Sequence, residues 1–499
     1  MPEAYDTTAI LARLDAIERT LGSGTLQTPA LAAPYLTPAS DGIVAAVRQQ
    51  FVPAVDVRHF GVTLTALDQR APEAVARANT EALGSALEWS ARTGGAVHLP
   101  SGSLDLWGVV ELPRGASIRG AGKFSSRIRQ LCQPASDAEP FVDVLAAPAV
   151  SGGIGGNGYN IVADLTIDGG WNLRNHSRDG NGNWHYDPAR MTQRGLVFAT
   201  PAGGPLDAAV RDAGSDAHGR IENVCFTNIA GYGFQMSGRG ENFARGVEIR
   251  KTGKSAFLIQ SPDCFLSDLT CYLSGDSGVE IRAGAGNLRW TNSKVWFCGM
   301  QRAVQGIGAA IHLPDPGTET IMMNNISTQD SWGPGLQLNG NVGIVFSGDI
   351  DEAGGGRLEQ QGFGWRGTRS LPRAFIRAPG TLRRARITAQ IKGGSRLGEA
   401  ARPALVDLSG SGVAGCVFRL GGSLDHVATP PVRVSTGHVN AGRYNEIWFE
   451  DRLLHGQVTA KELNTASHGV NDPVYGPSRA YRNDGRLMVR GPAGWIQQK

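Results

Sequence analysis

Hydrophobic and polar residues alternate in short runs along the chain, and between Ile221 and Asn339 the arrangement of these runs repeats five times. Each copy contains a short alternating run, then polar and glycine residues, and then a second short alternating run. The first runs centre on Val224, Val247, Leu269, Val295 and Ile326, and the second begin at Phe234, Phe257, Val279, Ile311 and Leu336. In all copies but the fourth, the second run begins ten residues after the centre of the first.

A period of two indicates β-strands, and a repeat of roughly twenty to thirty residues indicates a solenoid or an array. Each copy can bury its apolar side chains only against its neighbours, so we expect the strands to stack in parallel. The pattern therefore predicts an all-β fold, a right-handed parallel β-helix, whose hand follows from the crossover rule. The alternative, an all-β sandwich, would not require a constant offset between the two runs.

The chain begins with a predicted amphipathic helix, in which Ile10, Leu14, Ile17 and Leu21 lie on one face as in a coiled-coil seam. A Pro/Ser/Thr-rich linker follows. One such helix is marginal alone, so we expect residues 1–54 to self-associate, to dock into another protein, or to fold back onto their own domain. The N-terminus has no basic region and no apolar core of a signal peptide, so we expect synthesis in the bacterial cytoplasm.

Composition narrows the class of protein. The 499 residues include 68 glycines and 19% charged residues, which is typical of a turn-rich β solenoid. A net charge of +3 is too small for an electrostatic surface against nucleic acid, and no run is long enough to cross a membrane. We therefore expect neither nucleic acid nor membrane insertion. The six cysteines form no C-x-x-C pair and are expected to be small buried side chains.

A helix containing Leu83, Leu87 and Trp89 is predicted after Val55, where it would cover the open end of the coil. Around it the chain contains Phe60-Gly61, Gly94-Gly95, Val97, Pro100, Gly102 and Ile118-Arg119-Gly120-Ala121-Gly122. These motifs resemble the opening segment of the pectate-lyase-superfamily β-helix proteins over residues 55–130. The sequence departs from that family at residues 65–72, where an acidic Gly-Asp-Gly turn is usual.

The resemblance implies a protein that acts on polysaccharides, since the superfamily includes secreted plant-wall lyases and the spikes of phages and phage-like particles. The N-terminal helix, the linker and the missing signal peptide favour a spike on the particle surface, and the resemblance to phage spikes implies that it is a homotrimer. Residues 1–54 would attach it to the tail or head, and host capsule or lipopolysaccharide would be its partner. Three functions remain open: a receptor-binding spike that does not cleave, a spike that is also a depolymerase, and a free polysaccharide lyase or glycoside hydrolase.

The repeats also suggest domain boundaries. Residues 55–130 form the helix-capped opening, 131–365 the main coil, and 366–499 further rungs or a β module that ends in a hairpin. Residues 169–194 form an insertion at one corner of the coil, where long loops commonly carry binding groups. Its candidate carbohydrate-binding residues, which could instead pack against a neighbouring subunit, are Trp171, Trp184, His185, Tyr186 and Asp187.

Outward residues at equivalent positions of stacked coils form columns. The first strand predicts one column of Cys225, Glu248, Thr270, Trp296 and Ser327, and a second of Thr227, Arg250, Tyr272, Cys298 and Gln329. Arg250, Tyr272 and Trp296, with Glu248, would suit a sugar polymer, although a solvated face explains any one of them equally well. The second strand predicts a column of Val197, Gln235, Leu258, Glu280, His312 and Gln337.

Cleavage of a polysaccharide would require either two carboxylates, or a base together with a cation that holds a uronate carboxylate. Asp164 and Asp168 are predicted to point outward from one strand, and Glu248 lies across from Glu280. His312 beside Glu280 is a further candidate base. The candidate catalytic residues are therefore Asp164, Asp168, Glu248, Glu280 and His312, with Asp349 and Asp351 as another carboxylate pair. His185 and Asp187 lack a third ligand, so we expect no metal and no cofactor.

Overall fold

The computed structural model describes only part of the chain. The described residues are 54–134, 139–147, 159–171, 191–198, 218–237, 241–300, 306–316, 318–339, 343–355, 373–393, 402–410, 412–423, 427–428, 431–434, 445–450, 452–453, 479–481, 487–491 and 494–497. The chain divides into two compact units, Met1–Val52 and Pro53–Lys499. The first unit, with the predicted N-terminal helix, lies outside the described residues.

Short strands make up nearly all of the described structure, together with a 3₁₀ helix, Val57–Phe60, and one α-helix, α1, Glu73–Thr93. The first strands are β1 (Val55–Asp56), β2 (Ala96–Leu99), β3 (Gly102–Leu106), β4 (Val110–Glu111), β5 (Ser117–Gly120), β6 (Ser126–Gln130), β7 (Leu145–Ala147), β8 (Ile161–Ala163), β9 (Thr166–Asp168), β10 (Arg194–Phe198), β11 (Arg220–Glu222), β12 (Cys225–Ile229) and β13 (Tyr232–Met236). Next come β14 (Asn242–Arg245), β15 (Glu248–Thr252), β16 (Phe257–Ile259), β17 (Cys264–Ser267), β18 (Thr270–Ser274), β19 (Val279–Ile281), β20 (Gly286–Cys298), β21 (Ile311–Leu313), β22 (Glu319–Ser331), β23 (Leu336–Leu338) and β24 (Val345–Ala353). The last are β25 (Ala374–Arg377), β26 (Thr381–Arg383), β27 (Arg386–Lys392), β28 (Ala404–Leu408), β29 (Gly412–Ala414), β30 (Val417–Gly422), β31 (Val432–Val434), β32 (Glu446–Phe449), β33 (Arg452–Leu453), β34 (Arg479–Tyr481), β35 (Leu487–Gly491) and β36 (Gly494–Gln497).

The strands stack in parallel as the coils of one β-helix. The second sheet has eleven strands, in the spatial order β31-β28-β25-β23-β21-β19-β16-β13-β10-β7-β4, so each new strand lies one coil further along the chain. The first sheet has twenty strands and is parallel throughout, except that β33 closes it with an antiparallel pairing to β32. The predicted parallel β-helix is thus confirmed, and crossover connections between parallel strands coil to the right.

The first run of each of the first three repeats is two strands with a corner between them, where the sequence predicts one strand, and in the last two repeats the corner lies within one long strand, β20 or β22. Asp164, Asn223, Asp268 and Asn292 occupy this corner with φ between 51° and 57°, a left-handed conformation that Asn and Asp tolerate well. Asn223 Nδ2 donates to Asp164 Oδ1 at 2.8 Å and so links two successive corners. The prediction that Asp164 points outward from the same strand as Asp168 is wrong, because Asp164 lies in the turn between β8 and β9.

The interior of the coil is filled by stacked apolar side chains from successive coils. Phe234 lies 4.9 Å from Phe257 and 5.4 Å from Phe226, with both ring pairs nearly parallel. Phe198 meets Phe234 edge-on at 5.5 Å, and all four rings are fully buried. Of the cysteines, five are buried and Cys132 is half-buried, and all six are free thiols. The prediction that they are small buried side chains is confirmed for those five.

Helix α1 packs at the opening of the coil, as predicted. Its Leu83 and Leu87 are fully buried, and Gly94 ends the helix with φ +73°, a conformation that favours glycine. Gly120, in the motif that follows β4, approaches the next coil so closely that a Cβ there would lie 2.2 Å from the Asp164 carbonyl oxygen. These contacts explain in physical terms why the opening segment requires glycine at these two positions.

The C-terminal part continues the coil, because β25, β28 and β31 extend the second sheet and β27, β30 and β32 extend the first. β34, β35 and β36 form a separate antiparallel sheet. The pairing of β34 with β35 agrees with the predicted terminal hairpin, whose turn residues lie outside the described ranges. No helix in the described part of the chain is both long enough and apolar enough to span a membrane.

Candidate functional site

Five side chains on the outer face of the first sheet form a connected polar and aromatic surface, which we call the aromatic face: Glu248, Arg250, Tyr272, Lys294 and Trp296. Arg250 Nη1 lies 3.1 Å from Glu248 Oε1 and donates to Tyr272 Oη at 3.1 Å. Tyr272 Oη in turn donates to Glu248 Oε1 at 2.9 Å. The carboxylate, the guanidinium and the phenol therefore hold one another in place across two coils.

The two rings of the aromatic face stack on each other. Tyr272 and Trp296 are partners in register on β18 and β20, and their ring centroids are 4.7 Å apart with an interplanar angle of 2°. Lys294 Nζ lies 5.0 Å from the centroid of the Trp296 ring, within the range of a cation–π contact. One face of each ring is thus covered by the other ring, which leaves the ring edges and polar groups for a ligand.

The register corrects the predicted columns of the first strand. Thr270 pairs with Lys294, and Tyr272 pairs with Trp296, so Trp296 belongs to the column of Arg250 and Tyr272. Cys298 is fully buried and does not belong to the outward column. The error arises because Val295 pairs with Cys271, so the fourth copy of the repeat is shifted by two residues from the sequence alignment.

The segment that follows β5 covers one end of the aromatic face, which the sequence did not predict. Lys123 Nζ donates to the Gly246 carbonyl at 2.7 Å, and the Phe124 ring lies 5.9 Å from the Arg250 guanidinium. Phe124 is 58% exposed. Cys225, predicted to point outward, is fully buried, and burial raises the pKa of its thiol to about 11. The one indication of the Phe124 contact in the sequence was that an aromatic residue lies in a turn at this position.

The protonation state of the aromatic face follows from its partial burial. Burial raises the pKa of the Tyr272 phenol, and the hydrogen bonds to Arg250 and Glu248 act in opposite directions. Tyr272 therefore remains protonated at neutral pH and can donate to Glu248. The result is a fixed dipolar cluster that presents acceptor and donor groups side by side.

The predicted column of the second strand is present in the register. Gln235 pairs with Leu258, Leu258 with Glu280, Glu280 with His312, and His312 with Gln337. All of these side chains are buried, including Leu258 at 0% exposure, so the expectation that this column lies on the open surface is wrong. Burial is possible because the polar members bond to neighbouring polar groups instead of to water.

Glu280 and His312 lie side by side in this column. Glu280 accepts hydrogen bonds from Ser255 Oγ at 2.8 Å and from Arg282 Nε at 2.5 Å. His312 Nε2 lies 3.4 Å from Gln337 Nε2, and the buried His312 Nδ1 has no hydrogen-bond partner among the residues that the structure describes. Burial lowers the pKa of His312, while the nearby Glu280 opposes this shift. His312 is therefore a neutral imidazole at neutral pH.

Asp164 and Asp168 do not meet as a pair of free carboxylates. Asp168 is 6% exposed, and its Oδ1 accepts from the Gly170 backbone N–H and from Asn228 Nδ2. Asp164 is bonded to Asn223, as described above. Both carboxylates thus support turns of the coil, and their catalytic roles stay predictions.

Trp171, at the start of the corner insertion, is 2% exposed and packs with Met191, Ala230 and Phe141. Its ring face is therefore not available to a sugar in this conformation. The other predicted carbohydrate-binding residues of the insertion, Trp184, His185, Tyr186 and Asp187, lie outside the described residues. In the described part of the chain, His, Cys, Asp and Glu nowhere form a group of three that could hold a metal ion.

No family model matches the sequence, and no curated protein matches it. Solved structures of parallel β-helices are similar to it. One is the full-length tailspike protein 2 of an Escherichia coli O157:H7 bacteriophage, with 15% identity, a TM-score of 0.46 and coverage of 74% of this chain and 42% of that chain. This chain thus spans less than half the length of that tailspike.

Two further structures are similar at the same level. The Dettilon tailspike protein has 11% identity and a TM-score of 0.46, and the match covers 79% of this chain and 70% of that chain. The A-module of the Azotobacter vinelandii mannuronan C-5 epimerase AlgE4 has 13% identity and a TM-score of 0.43, over 76% of this chain and 97% of that chain.

Proposed function

We propose that the protein is a receptor-binding spike of a phage or phage-like particle and that the aromatic face binds polysaccharide on the host surface, either capsule or lipopolysaccharide. The observation that carries this proposal is the connected cluster of Glu248, Arg250, Tyr272 and Trp296 on one outer face of the coil. It combines what a sugar requires: fixed hydrogen-bonding groups for hydroxyls, and aromatic carbon for the apolar C–H surface.

The rigidity of the cluster is the physical reason for assigning it to binding. Arg250 and Glu248 are 32% and 18% exposed, so part of each charged group still faces solvent while the rest is held by neighbours. Ordered side chains lose less conformational entropy when a ligand binds, and strands place them more firmly than loops do. A polymer lying along the coil axis would cross successive strands and meet Arg250, Tyr272 and Trp296 in turn.

A direct test compares binding of host capsule by the wild type and by Arg250→Ala with Trp296→Ala. We expect the double variant to lose at least about tenfold in affinity, since aromatic and arginine anchors dominate many interfaces. The control is Arg92→Ala with Tyr159→Ala, which removes an exposed arginine of α1 and an exposed ring that lies outside the aromatic face. Equal losses in the two double variants would refute the assignment.

Cleavage of the polymer is a second candidate function, favoured by the neutral His312 with its unpartnered Nδ1 next to Glu280. A neutral imidazole is the form that a general base for uronate elimination requires. Incubation with capsule followed by measurement of chain length separates cleavage from binding alone. If the polysaccharide is shortened by Arg250→Ala but not by His312→Ala, cleavage is assigned to the buried column. If the wild type leaves the polysaccharide at its full length, the protein binds it without cleavage. Release of an active enzyme without a particle would favour a free lyase or hydrolase.

We also propose that the spike is a homotrimer attached through residues 1–54. Phe243, Phe265 and Met322, each 37% to 42% exposed, give the outer face of the first sheet apolar contacts for a neighbouring subunit. Light scattering of the intact chain and of a chain lacking residues 1–40 tests both parts. A monomer at micromolar concentration would exclude the trimer, whereas a trimer that survives the deletion would place the contacts in the β-helix.

A further inference from the structure

Seven arginines in the opening and the middle of the described coil are closely paired with carboxylates. In each of these pairs an arginine nitrogen lies within 3.1 Å of a carboxylate oxygen: Arg58–Asp56, Arg77–Glu73, Arg129–Asp105, Arg194–Asp143, Arg220–Glu222, Arg250–Glu248 and Arg282–Glu280. The pairing neutralises positive charge locally along the opening and the middle of the coil. A group of arginines that departs from this pattern is therefore informative.

Four exposed arginines in the last coils, Arg383, Arg384, Arg386 and Arg419, form what we call the arginine patch. None of them makes an ion pair or a side-chain hydrogen bond with any residue that the structure describes. Arg383 ends β26, Arg384 forms the turn with φ +55°, and Arg386 begins β27. Arg419 lies on β30 of the next coil, in register with Thr388, two residues beyond Arg386.

The arginine patch concentrates like charges at short range. Arg419 lies one coil (about 4.8 Å) and two residues (about 6.6 Å) from Arg386, so the two Cα atoms are roughly 8 Å apart, about one Debye length at physiological salt. Neither of two described carboxylates on the neighbouring strands forms an ion pair with the patch: Glu446 accepts from the Trp448 indole N–H at 3.0 Å, and Asp349 lies 3.5 Å from Lys392 Nζ. A cluster of unpaired arginines is unfavourable by itself, and a bound anion would relieve the repulsion.

We propose that the arginine patch is a second polysaccharide site, one that binds the carboxylate or phosphate groups of an anionic glycan. The guanidinium fork matches both anions through paired N–H donors. Trp448 lies in register with Arg419 and offers an aromatic surface beside the charge, which suits a sugar ring better than a bare phosphate chain. This inference rests on the proposed polysaccharide-binding function. It adds that the glycan carries negative charge.

The site is separate from the aromatic face. Glu248, Tyr272 and Trp296 lie on β15, β18 and β20, whereas the arginine patch lies on β27 and β30 of the first sheet, on β26, which pairs with β29 in a separate two-stranded sheet, and on the turn between β26 and β27. A long polymer could contact both sites at once, and its second contact would then form at a high effective concentration. Long anionic chains should therefore bind more tightly than short ones, while short neutral chains should depend on the aromatic face alone.

The experiment uses the full chain and three probes: polygalacturonate, which carries carboxylates, deacylated lipopolysaccharide core, which carries phosphates, and neutral dextran. The variant is Arg386→Gln with Arg419→Gln, and the control is Arg70→Gln with Arg92→Gln, which changes net charge equally at exposed arginines near the opening of the coil. We expect the patch variant to lose about tenfold in affinity for an anionic probe at low salt, and the control to lose less than about twofold. Wild-type binding should weaken as salt rises.

The probe that is bound identifies the anion as carboxylate or phosphate, and binding of either supports the proposal. Equal affinity of the patch variant and the wild type for both anionic probes overturns it, as does an equal loss in the control. Single-stranded DNA that binds as tightly as the glycans, with the same loss in the patch variant, also overturns it. The two proposals can fail separately. If Trp296→Ala loses binding to a neutral capsule while the patch variant binds every anionic probe as the wild type does, the proposed function stands and only the arginine patch is refuted.

Discussion

Tyr272 and Trp296 lie on adjacent coils with their rings parallel to within 2° and their centroids 4.7 Å apart. Tyr272 also donates to Glu248, which lies on the coil before it, so the stack connects three successive coils. Substitution of Trp296 therefore removes the ring on which Tyr272 packs, and Tyr272 in turn orients the Arg250–Glu248 pair. The aromatic face should respond to substitution as a unit, and single-residue effects on binding should not be additive.

Trp296→Ala should reduce affinity for host polysaccharide about tenfold while it lowers the free energy of unfolding by roughly 1 to 2 kcal/mol, since the ring is only half-buried. Tyr159→Ala is the matched control, because the exposed Tyr159 ring also stacks on a neighbouring ring, that of His218, at 5.3 Å and lies outside the aromatic face. Calorimetric titration and chemical denaturation measure the two quantities. A stability loss without any binding loss at Trp296 would make the stack purely structural.

Phe257→Ala should lower the free energy of unfolding by roughly 3 to 5 kcal/mol, because Phe234 and the strands around it cannot close the space. Leu258→Ala should also lower it, by about 2 to 5 kcal/mol, because Leu258 is fully buried although it points out of the coil. Denaturant titration of both variants gives the comparison. A negligible effect at Leu258 would show that the outer side of the second sheet is open in solution.

Arg194→Met alone should destabilise the protein by roughly 3 to 5 kcal/mol, because it leaves the Asp143 carboxylate buried without its cation. The pair is 1% and 2% exposed with an Nη2 to Oδ2 distance of 2.6 Å. Arg194→Met combined with Asp143→Leu should recover most of that loss, as replacement of both charges leaves no buried ion. A double-mutant cycle in denaturant measures the coupling. Additive losses in the double variant would contradict the buried-pair explanation.

The protein should lose stability on acidification in part through His312. The folded pKa of His312 is lowered from its ordinary value of 6.5, chiefly by burial, so below pH 6.5 the unfolded chain binds a proton that the folded chain does not. Glu280, Asp276 and Asp315 favour the charged form and Arg282 opposes it.

The test for His312 is the change in melting temperature between pH 7.5 and pH 5.5. The change should be smaller in His312→Gln than in the wild type, and the exposed His59→Gln variant serves as the control. An identical pH dependence in His312→Gln and the wild type would show that the imidazole is not held neutral by the fold.

The repeat in the sequence predicted the coil because every coil must bury the same kind of side chain against its neighbours. The offset of ten residues placed Phe234, Phe257 and Val279 correctly in one inward stack. The fourth copy failed because Val295 was aligned by its hydrophobicity, whereas the corner residue Asn292 sets the register. An Asn in the left-handed backbone conformation therefore indicates the strand register more reliably than a β-branched residue does, because a β-branched residue can lie on either side of a corner.

The composition of the aromatic face was predicted, but its geometry was not. Arg250 and Tyr272 were placed in one column from spacing alone, and the structure shows that they are bonded to each other. The contribution of Phe124 could not be predicted, because it comes from a segment more than a hundred residues away in sequence. The burial of Glu280 and His312 was also missed, since alternation indicates which side of a strand a residue occupies and not whether that side is covered.

The hydrogen bonds between coils run along the axis of the β-helix, since each strand bonds only to the strands one coil before and after it. A pull on the two ends of the β-helix therefore loads these bonds lengthwise, and because the coils are connected in series each carries the same force until the weakest one opens. Under tension the protein should lengthen in a series of small steps, one coil at a time. Stepwise opening of this kind would take up a sudden pull while most of the coils stay folded.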